Sequence, residues 1–301
     1  MKRRDVLALG GAATLAAAIG GRVLAAETSM AAKAGAKGAR RLRVYADGAG
    51  DSHLEELAFG AELPPVPVRA VEVLNYTRNS SDWHVAPDTR FALNIIGDLD
   101  VITSDGKHHA IGPNDLVALE DITGKGHSTN RLSPVVTMFI HLDKGFDFIK
   151  WAKGEAQNVT TEAAPAAATA PKPANPSARI QTRLLRLYSD AAGESHLEEL
   201  AMIGDTKSIP ATEMRIGASK AGASTGKFHN AFFRRFVRNI SGEMDITTSD
   251  GRTHRVGPRD LVFLEDITGK GHVSAPLTPI TALFIHVVDG FDVVDWAKNA
   301  G

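Results

Sequence analysis

Cysteine is absent from this 301-residue chain, which excludes disulfides, thiolate metal sites and a cysteine nucleophile. Any chemistry must therefore come from histidine, carboxylate, lysine, arginine or serine side chains. The chain also lacks a charge imbalance, because 34 Lys and Arg residues face 35 Asp and Glu residues. Nothing in that balance favours nucleic acid as a partner. The length is sufficient for two domains, each able to bury its own core.

The amino terminus lacks an apolar run long enough to span a membrane. The run from Val6 to about Gly20 is diluted by glycine and falls short of the ~20 residues that a bilayer requires. Arg3 and Arg4 precede this run and resemble a twin-arginine export signal. We expect cleavage after Ala25 or Ala26, an exported or periplasmic location and no membrane span in the mature chain.

An internal duplication dominates the rest of the sequence. The stretch Gly97–His127 recurs as Gly242–His272, with 21 of 31 positions identical. The match extends to the amino-terminal part of each copy, where Leu42–Leu57 corresponds to Leu185–Leu200. The two copies are therefore whole domains.

An Ala/Pro-rich tract with the composition of a semi-rigid linker separates the copies. The predicted organisation is a signal peptide over residues 1–26, a flexible leader over 27–40, a first domain over 41–154, a linker over 155–181 and a second domain over 182–301.

Each copy alternates apolar and polar residues between turn signals, which predicts short antiparallel strands. A short helix is expected near 146–153, with Phe and Trp on its apolar face. In the first copy the predicted strands lie near residues 42–46, 53–59, 68–76, 90–96, 99–103, 107–111, 116–120 and 135–142, and another begins at His127. Regularly spaced short strands favour a barrel or a sandwich.

The S-D-G hairpin, the following G-P-x-D strand and the E-D-x-T-G-K-G-H loop resemble the small domains of the cupin superfamily. Both copies carry these motifs. The resemblance implies an all-β fold of two tandem antiparallel β-barrels, of the cupin, double-stranded β-helix or jelly-roll type, each closed by a short C-terminal helix. One barrel of this type hosts many chemistries, so the fold alone does not name a function.

Five histidine pairs are shared by the copies: His53 with His196, His84 with His229, His109 with His254, His127 with His272, and His141 with His286. His53 and His196 are predicted to be structural, because their neighbouring Ser residues would point to the opposite face of a strand. His109 and His254 follow a hairpin turn and are predicted to be exposed to solvent. The other three pairs are candidates for a pocket.

Cupins that hold a metal typically use three histidines and a glutamate. The resemblance places His84 and His127 of the first copy, and His229 and His272 of the second, at two of those four positions. Ala86 and Ala231 occupy another position, and Arg90 and Arg235 occupy the glutamate position. A guanidinium cannot donate a lone pair and opposes a cation in the same site. A complete metal site is therefore not expected.

Two interpretations of this set remain open. In the first, the imidazoles and the guanidinium of each copy bind an anionic or carbonyl-bearing molecule, since arginine forms bidentate bonds with carboxylates. In the second, a divalent transition metal is held by two histidines and water. His141 and His286 are possible additional groups. Lys125 and Lys270 lie in the Gly-Lys-Gly loop, where they would attract an anion at the mouth of the pocket.

At the level of function, three classes stay open. The protein is an exported binding module for a small polar or anionic molecule, a metal-dependent enzyme of the dioxygenase, isomerase or decarboxylase type, or a structural or interaction protein. A homodimer is compatible with each class.

The two pockets are predicted to differ. Asp88 becomes Phe233 beside the shared arginine, and Ala118 becomes Phe263 on a core strand. If Asp88 pairs with Arg90, it would weaken anion binding by the first copy, whereas Arg235 would stay available. We therefore expect the second domain to be the tighter anion site.

Overall fold

A computed structural model describes residues 40–59, 62–157, 182–201 and 208–298. The predicted signal peptide, nearly all of the predicted leader and residues 158–181 of the predicted linker lie outside these ranges. Within them, no helix has the length and apolar character needed to cross a membrane.

The described part of the chain is all-β apart from two short helices, as predicted. The first copy contains β1 (Arg41–Ala46), β2 (Ser52–Glu56), β3 (Val66–Tyr76), β4 (Arg90–Ile96), β5 (Leu99–Thr103), β6 (His108–Ile111), β7 (Leu116–Leu119), β8 (His127–Arg131), β9 (Val135–Leu142) and α1 (Phe148–Ala152). The second contains β10 (Arg183–Ser189), β11 (Ser195–Leu200), β12 (Ile209–Ser219), β13 (Arg235–Ser241), β14 (Met244–Thr248), β15 (Thr253–Val256), β16 (Asp260–Leu264), β17 (His272–Pro276), β18 (Ile280–Val287) and α2 (Val293–Lys298).

The strands form one twelve-stranded sheet and two three-stranded sheets. The large sheet has the order β11-β10-β16-β13-β18-β12-β3-β9-β4-β7-β1-β2, and the small sheets have the orders β6-β5-β8 and β15-β14-β17. The predicted closed barrels are therefore not seen. The edge of β3 pairs antiparallel with β12 of the other copy, so it is not available to close a barrel within its own copy.

Alternation along the strands divides the large sheet into two faces. On β9, Met138 and Ile140 are fully buried in a core that the two copies share. Phe139 and His141, in the opposite phase, line a cavity in the first copy. This is the period-two pattern of a strand with different surroundings on its two faces. A smaller apolar cluster, which includes Val44 of β1, joins the large sheet to the β6-β5-β8 sheet.

Helix α1 packs on the face of the large sheet that turns away from the cavity. Phe148 and Trp151 contact Phe91 of β4, with ring centroids 4.8 and 5.1 Å apart. The helix begins after Asp147, whose carboxylate accepts hydrogen bonds from the amides of Ile149 and Lys150. The helix therefore contributes to the shared core and not to the cavity wall.

Candidate functional site

The first copy encloses a cavity of about 570 Å³ between the large sheet and its small sheet. Most of the wall is apolar and comes from Val44, Ala92, Leu99, Val101, Ile111, Val117 and Leu119. The polar groups in the wall include His84, His127, Arg90, His141 and Glu72. We call this cavity the first cup, and we call the equivalent region of the second copy the second cup.

His84 and His127 lie side by side because their backbones pair. The amide of each residue donates to the carbonyl of the other, at 3.0 and 2.8 Å, and the ring centroids are 4.6 Å apart. Gly126 makes this approach possible: its φ is +69°, and a Cβ there would lie 2.1 Å from the carbonyl oxygen of His84. His229 and His272 form the same pair in the second cup, with ring centroids 4.5 Å apart.

The tautomers of the first pair follow from its hydrogen bonds. Nδ1 of His84 lies 2.8 Å from the carbonyl oxygen of Asp82, which can only accept, so Nδ1 carries the proton. Nδ1 of His127 lies 2.6 Å from Oδ2 of Asp121, which is completely buried. An ionised Asp121 fixes the same tautomer. Each neutral ring is then left with an Nε2 lone pair for a ligand.

The second pair is held in a similar way. His272 Nδ1 lies 2.6 Å from Oδ2 of the buried Asp266, and His229 Nδ1 lies 3.4 Å from the carbonyl oxygen of Lys227. Sequence reasoning missed both aspartates. The sequence offered one indication: an aspartate is present in both copies of the E-D-x-T-G-K-G-H loop, six residues before each histidine.

Arg90 is not free in the first cup. Its guanidinium forms an ion pair with Asp88, as the sequence suggested, and lies over the Phe139 ring at 5.4 Å from the centroid. Asp88 also binds Nδ1 of His141 at 2.8 Å. Nε2 of His141 lies 3.4 Å from Oε2 of Glu72, without hydrogen-bond geometry. Asp88 also pairs with Arg69 at 3.3 Å, so one carboxylate is shared by two guanidinium groups and His141.

The second cup has a different set of charges around the same arginine and histidine. Arg235 lies over the Phe284 ring at 4.9 Å from the centroid. Its Nε is buried and has no hydrogen-bond partner among the described residues. Phe233 packs against the ring of His286 at 5.1 Å between centroids. Nδ1 of His286 lies 3.4 Å from Oε1 of Glu213.

These surroundings shift the two histidines in opposite directions. Burial lowers the pKa of His141, but Asp88 and Glu72 outweigh burial, and the net shift is upward. Burial lowers the pKa of His286, and the attraction of Glu213 does not compensate for it.

NMR titration is therefore expected to show His141 losing its proton at a higher pH than His286. Because the pKa of His141 is raised by folding, its stabilising contribution is complete below the unfolded histidine value. That contribution is lost as the pH rises through the folded value. Replacing Asp88 with Asn should lower the pH at which half of the His141 side chains have lost their proton. An unchanged midpoint would contradict the assignment of Asp88 as the partner of His141.

The residues of the cups do not fit the four-ligand metal site that the cupin resemblance implies. Among the described residues, no group of three or more His, Asp or Glu side chains is arranged to hold a metal ion. Three imidazoles line the first cup, those of His84, His127 and His141, but Arg90 or Arg235 occupies the position where the resemblance would require a carboxylate ligand. We derive no chemistry through a metal from this arrangement.

His84 and Arg90 lie six residues apart in the sequence but not on one strand. The strand begins only at Arg90, and His84 lies in an isolated bridge with His127. Both residues nevertheless line the first cup. The two are brought together by the fold of the segment before β4 and not by strand alternation.

Lys125 and Lys270 each form an ion pair with a carboxylate in the loop before β2 or β11. Lys125 Nζ is 2.7 Å from Oδ1 of Asp51, and Lys270 forms an ion pair with Glu194. Lys125 is not among the residues that line the first cup. A role for either lysine in attracting an anion stays a prediction.

The remaining paired histidines lie on strands β2, β6, β11 and β15. His53 bridges Asp47 and Asp105, at 2.9 and 3.3 Å, and His196 bridges the equivalent carboxylates of the second copy. Neither contacts a serine as a catalytic pair would. The prediction that His109 and His254 are exposed was wrong. Both are half-buried, and His109 Nε2 lies 3.0 Å from Oγ1 of Thr103, because the hairpin folds back over these rings.

Comparison with known proteins finds similar solved structures but no matching family. No family model matches the chain, and no curated protein matches it. Similar solved structures include a cupin 2 conserved barrel domain protein from Leptotrichia buccalis, with 12% identity, a TM-score of 0.35, and coverage of 77% of this chain and 91% of that chain.

An oxalate decarboxylase from Bacillus subtilis with Mn(II) centres is also similar, with 13% identity, a TM-score of 0.28, and coverage of 84% and 76% of the two chains. The YhaK protein from Escherichia coli shows 16% identity, a TM-score of 0.27, and coverage of 83% and 93%.

Proposed function

We propose that this protein is a bicupin-type binding module that holds a small polar or anionic molecule in each cup without turnover. The observation that carries the proposal is the paired imidazoles, His84 with His127 and His229 with His272. Their Nδ1 atoms are occupied by Asp121, Asp266 and backbone carbonyls, which leaves Nε2 for a ligand.

The first cup also has the size and lining of a small-molecule site. Its volume of about 570 Å³ is within the range of roughly 300 to 1,000 Å³ for such pockets. A mainly apolar wall excludes water, and a few polar groups fix the orientation of the ligand. In the first cup, the close ring pair favours a ligand that offers hydrogen-bond donors to the two neighbouring Nε2 atoms.

Ligand recovery tests this function. Native mass spectrometry of the full chain purified from its own host should show a bound small organic molecule that is released on denaturation. Replacing His84 and His229 with Ala should remove it, while the exposed control Arg252→Ala should retain it. A chain that carries no organic ligand, together with variants that behave like the parent, would contradict the proposal.

A metal-dependent enzyme is the second candidate, and one observation favours it. A histidine whose Nδ1 is held by a buried carboxylate is the usual arrangement of a metal-ligating imidazole. His127 with Asp121 and His272 with Asp266 both have this arrangement. Against it stands the absence of a third ligand among the described residues. Metal content distinguishes the two candidates.

Export belongs to the same proposal. The paired Arg3 and Arg4 ahead of a weakly apolar run support twin-arginine transport, which carries proteins that are already folded. Changing both arginines to Lys is expected to leave the protein in the cytoplasm with Met1–Ala26 still attached. Cell fractionation and intact-mass measurement check this outcome, and a mature parent protein that retains Met1–Ala26 would contradict export with cleavage.

A further inference from the structure

The duplication changes two charged positions near the arginine that the copies share. On β3, Glu72 pairs in register with Phe139, and on β12, Arg215 pairs in register with the equivalent Phe284. Arg215 therefore occupies the position of Glu72. Asp88, the carboxylate that pairs with Arg90 in the first copy, is replaced by Phe233.

The charges that remain near the conserved arginine differ accordingly. In the first copy, Glu72 and Asp88 lie beside the ring of His141, and Asp88 pairs with the guanidinium groups of both Arg90 and Arg69. In the second copy, Glu213 binds Arg215, and the charges that act on Arg235 are those of the buried Asp266 and of Arg215.

Arg235 differs from Arg90 in its hydrogen-bond and ion-pair partners. Arg90 forms an ion pair with Asp88, whereas Nε of Arg235 is buried without a hydrogen-bond partner among the described residues. An unpartnered charge in a site of low dielectric attracts an anion strongly. A carboxylate placed between two guanidinium groups could accept bidentate hydrogen bonds from one of them.

An apolar rim borders this positive site. Phe232 and Phe233 are 81% and 60% exposed, and they stand where the first copy has Pro87 and Asp88. Phe228, at 51% exposure, lies one residue before His229. Phe233 covers His286 on the side from which Asp88 binds His141 in the first copy. The apolar surface and the unpartnered guanidinium thus lie together.

We propose that the second cup selects an organic anion, a carboxylate attached to an aromatic or aliphatic body, whereas the first cup takes an uncharged polar molecule. The carboxylate binds Arg235 and Arg215, and the apolar body lies against Phe233 and Phe232. This inference rests on the proposed binding function and assigns a ligand class to each cup.

Benzoate and benzamide, which have the same shape and differ in charge, are suitable probes. Calorimetric titration of the full chain should find one benzoate site per chain, with benzoate binding about 10- to 100-fold more tightly than benzamide. Arg235→Gln should abolish that preference. The matched control is Arg255→Gln, an exposed arginine of the second copy that pairs with Asp245, and it should keep the preference.

Two further variants keep the test decisive if Arg235→Gln unfolds. Phe233→Asp should give Arg235 an internal partner and weaken benzoate binding by a similar factor. Glu72→Arg combined with Asp88→Phe should create a second benzoate site in the first cup, raising the stoichiometry to two.

Benzoate that binds no more tightly than benzamide, or a preference that survives both Arg235→Gln and Phe233→Asp, would overturn the inference. The broader binding function would then still be decided by its own test, recovery of an organic ligand from the native protein. A failure of the charge assignment is thus distinguishable from a failure of the binding function.

Discussion

Gly126→Ala is expected to lower the free energy of unfolding by about 3 kcal/mol or more and to abolish ligand binding by the first cup. The added Cβ would lie 2.1 Å from the carbonyl oxygen and 2.4 Å from the carbonyl carbon of His84. These atoms belong to the backbone and cannot rotate away, so the bridge between His84 and His127 must open. Denaturant unfolding and ligand titration measure the two losses.

Gly106→Ala provides a matched control for backbone strain. Gly106 has a φ of +79°, similar to that of Gly126, but an added Cβ there meets nothing within 4 Å. Its cost should be limited to the left-handed conformation, about 1 kcal/mol. Equal losses in the two variants would show that strain alone, and not the contact with His84, makes the glycine necessary. Gly271→Ala should repeat the large effect in the second copy.

Asp121→Ala is expected to destabilise the protein by about 3 kcal/mol, because it leaves a buried imidazole nitrogen without its partner. Asp121 is completely buried, and His127 is 5% exposed, so water cannot replace the lost carboxylate easily. The ring of His127 would also lose its fixed tautomer, and ligand affinity should fall even where the variant is folded. Thermal unfolding and ligand titration of the same sample separate the two effects.

Asp47→Ala is the appropriate comparison, since Asp47 binds His53 at a similar distance of 2.9 Å but at the surface. A surface pair of this kind contributes little, because water screens the charges and solvates the separated groups. The loss for Asp47→Ala should therefore be much smaller than the loss for Asp121→Ala. Comparable losses would contradict a special role for the buried pair.

The local structure of each copy could be predicted from the sequence because the signals were local. Alternation, Asp-Gly turns and the duplicated motifs placed the strands of the first copy within three residues of their observed bounds. The arrangement of the sheets depended on strand pairing between the two copies, which no local pattern predicts. Val66, Val71 and their neighbours on β3 pair with β12 of the other copy, which prevents barrel closure within one copy.

Some residues of the candidate site could likewise be predicted from the sequence, and others could not. His84, His127 and Arg90 could be found by comparing each copy with the cupin motif, and all three line the first cup. The importance of Glu72 could not be found in that way. Its equivalent is Arg215, and only the register against Phe139 and Phe284 shows that the two positions correspond.

The predicted inequality of the cups now has a structural basis, although affinity itself stays a prediction. Asp88 does pair with Arg90, which was the condition for weaker anion binding by the first copy. Phe233 cannot do the same for Arg235. The reversal from Glu72 to Arg215 acts in the same direction, so two independent replacements favour an anion in the second cup.

The metal content of protein matured in its own host tests the central claim most directly. If the cups are binding sites for small organic molecules, elemental analysis should find far less than one transition metal ion per copy. His84→Ala combined with His229→Ala should leave that content unchanged. A content near one transition metal ion per copy, lost in the double variant, would contradict the binding-module account and establish the histidine pairs as metal ligands.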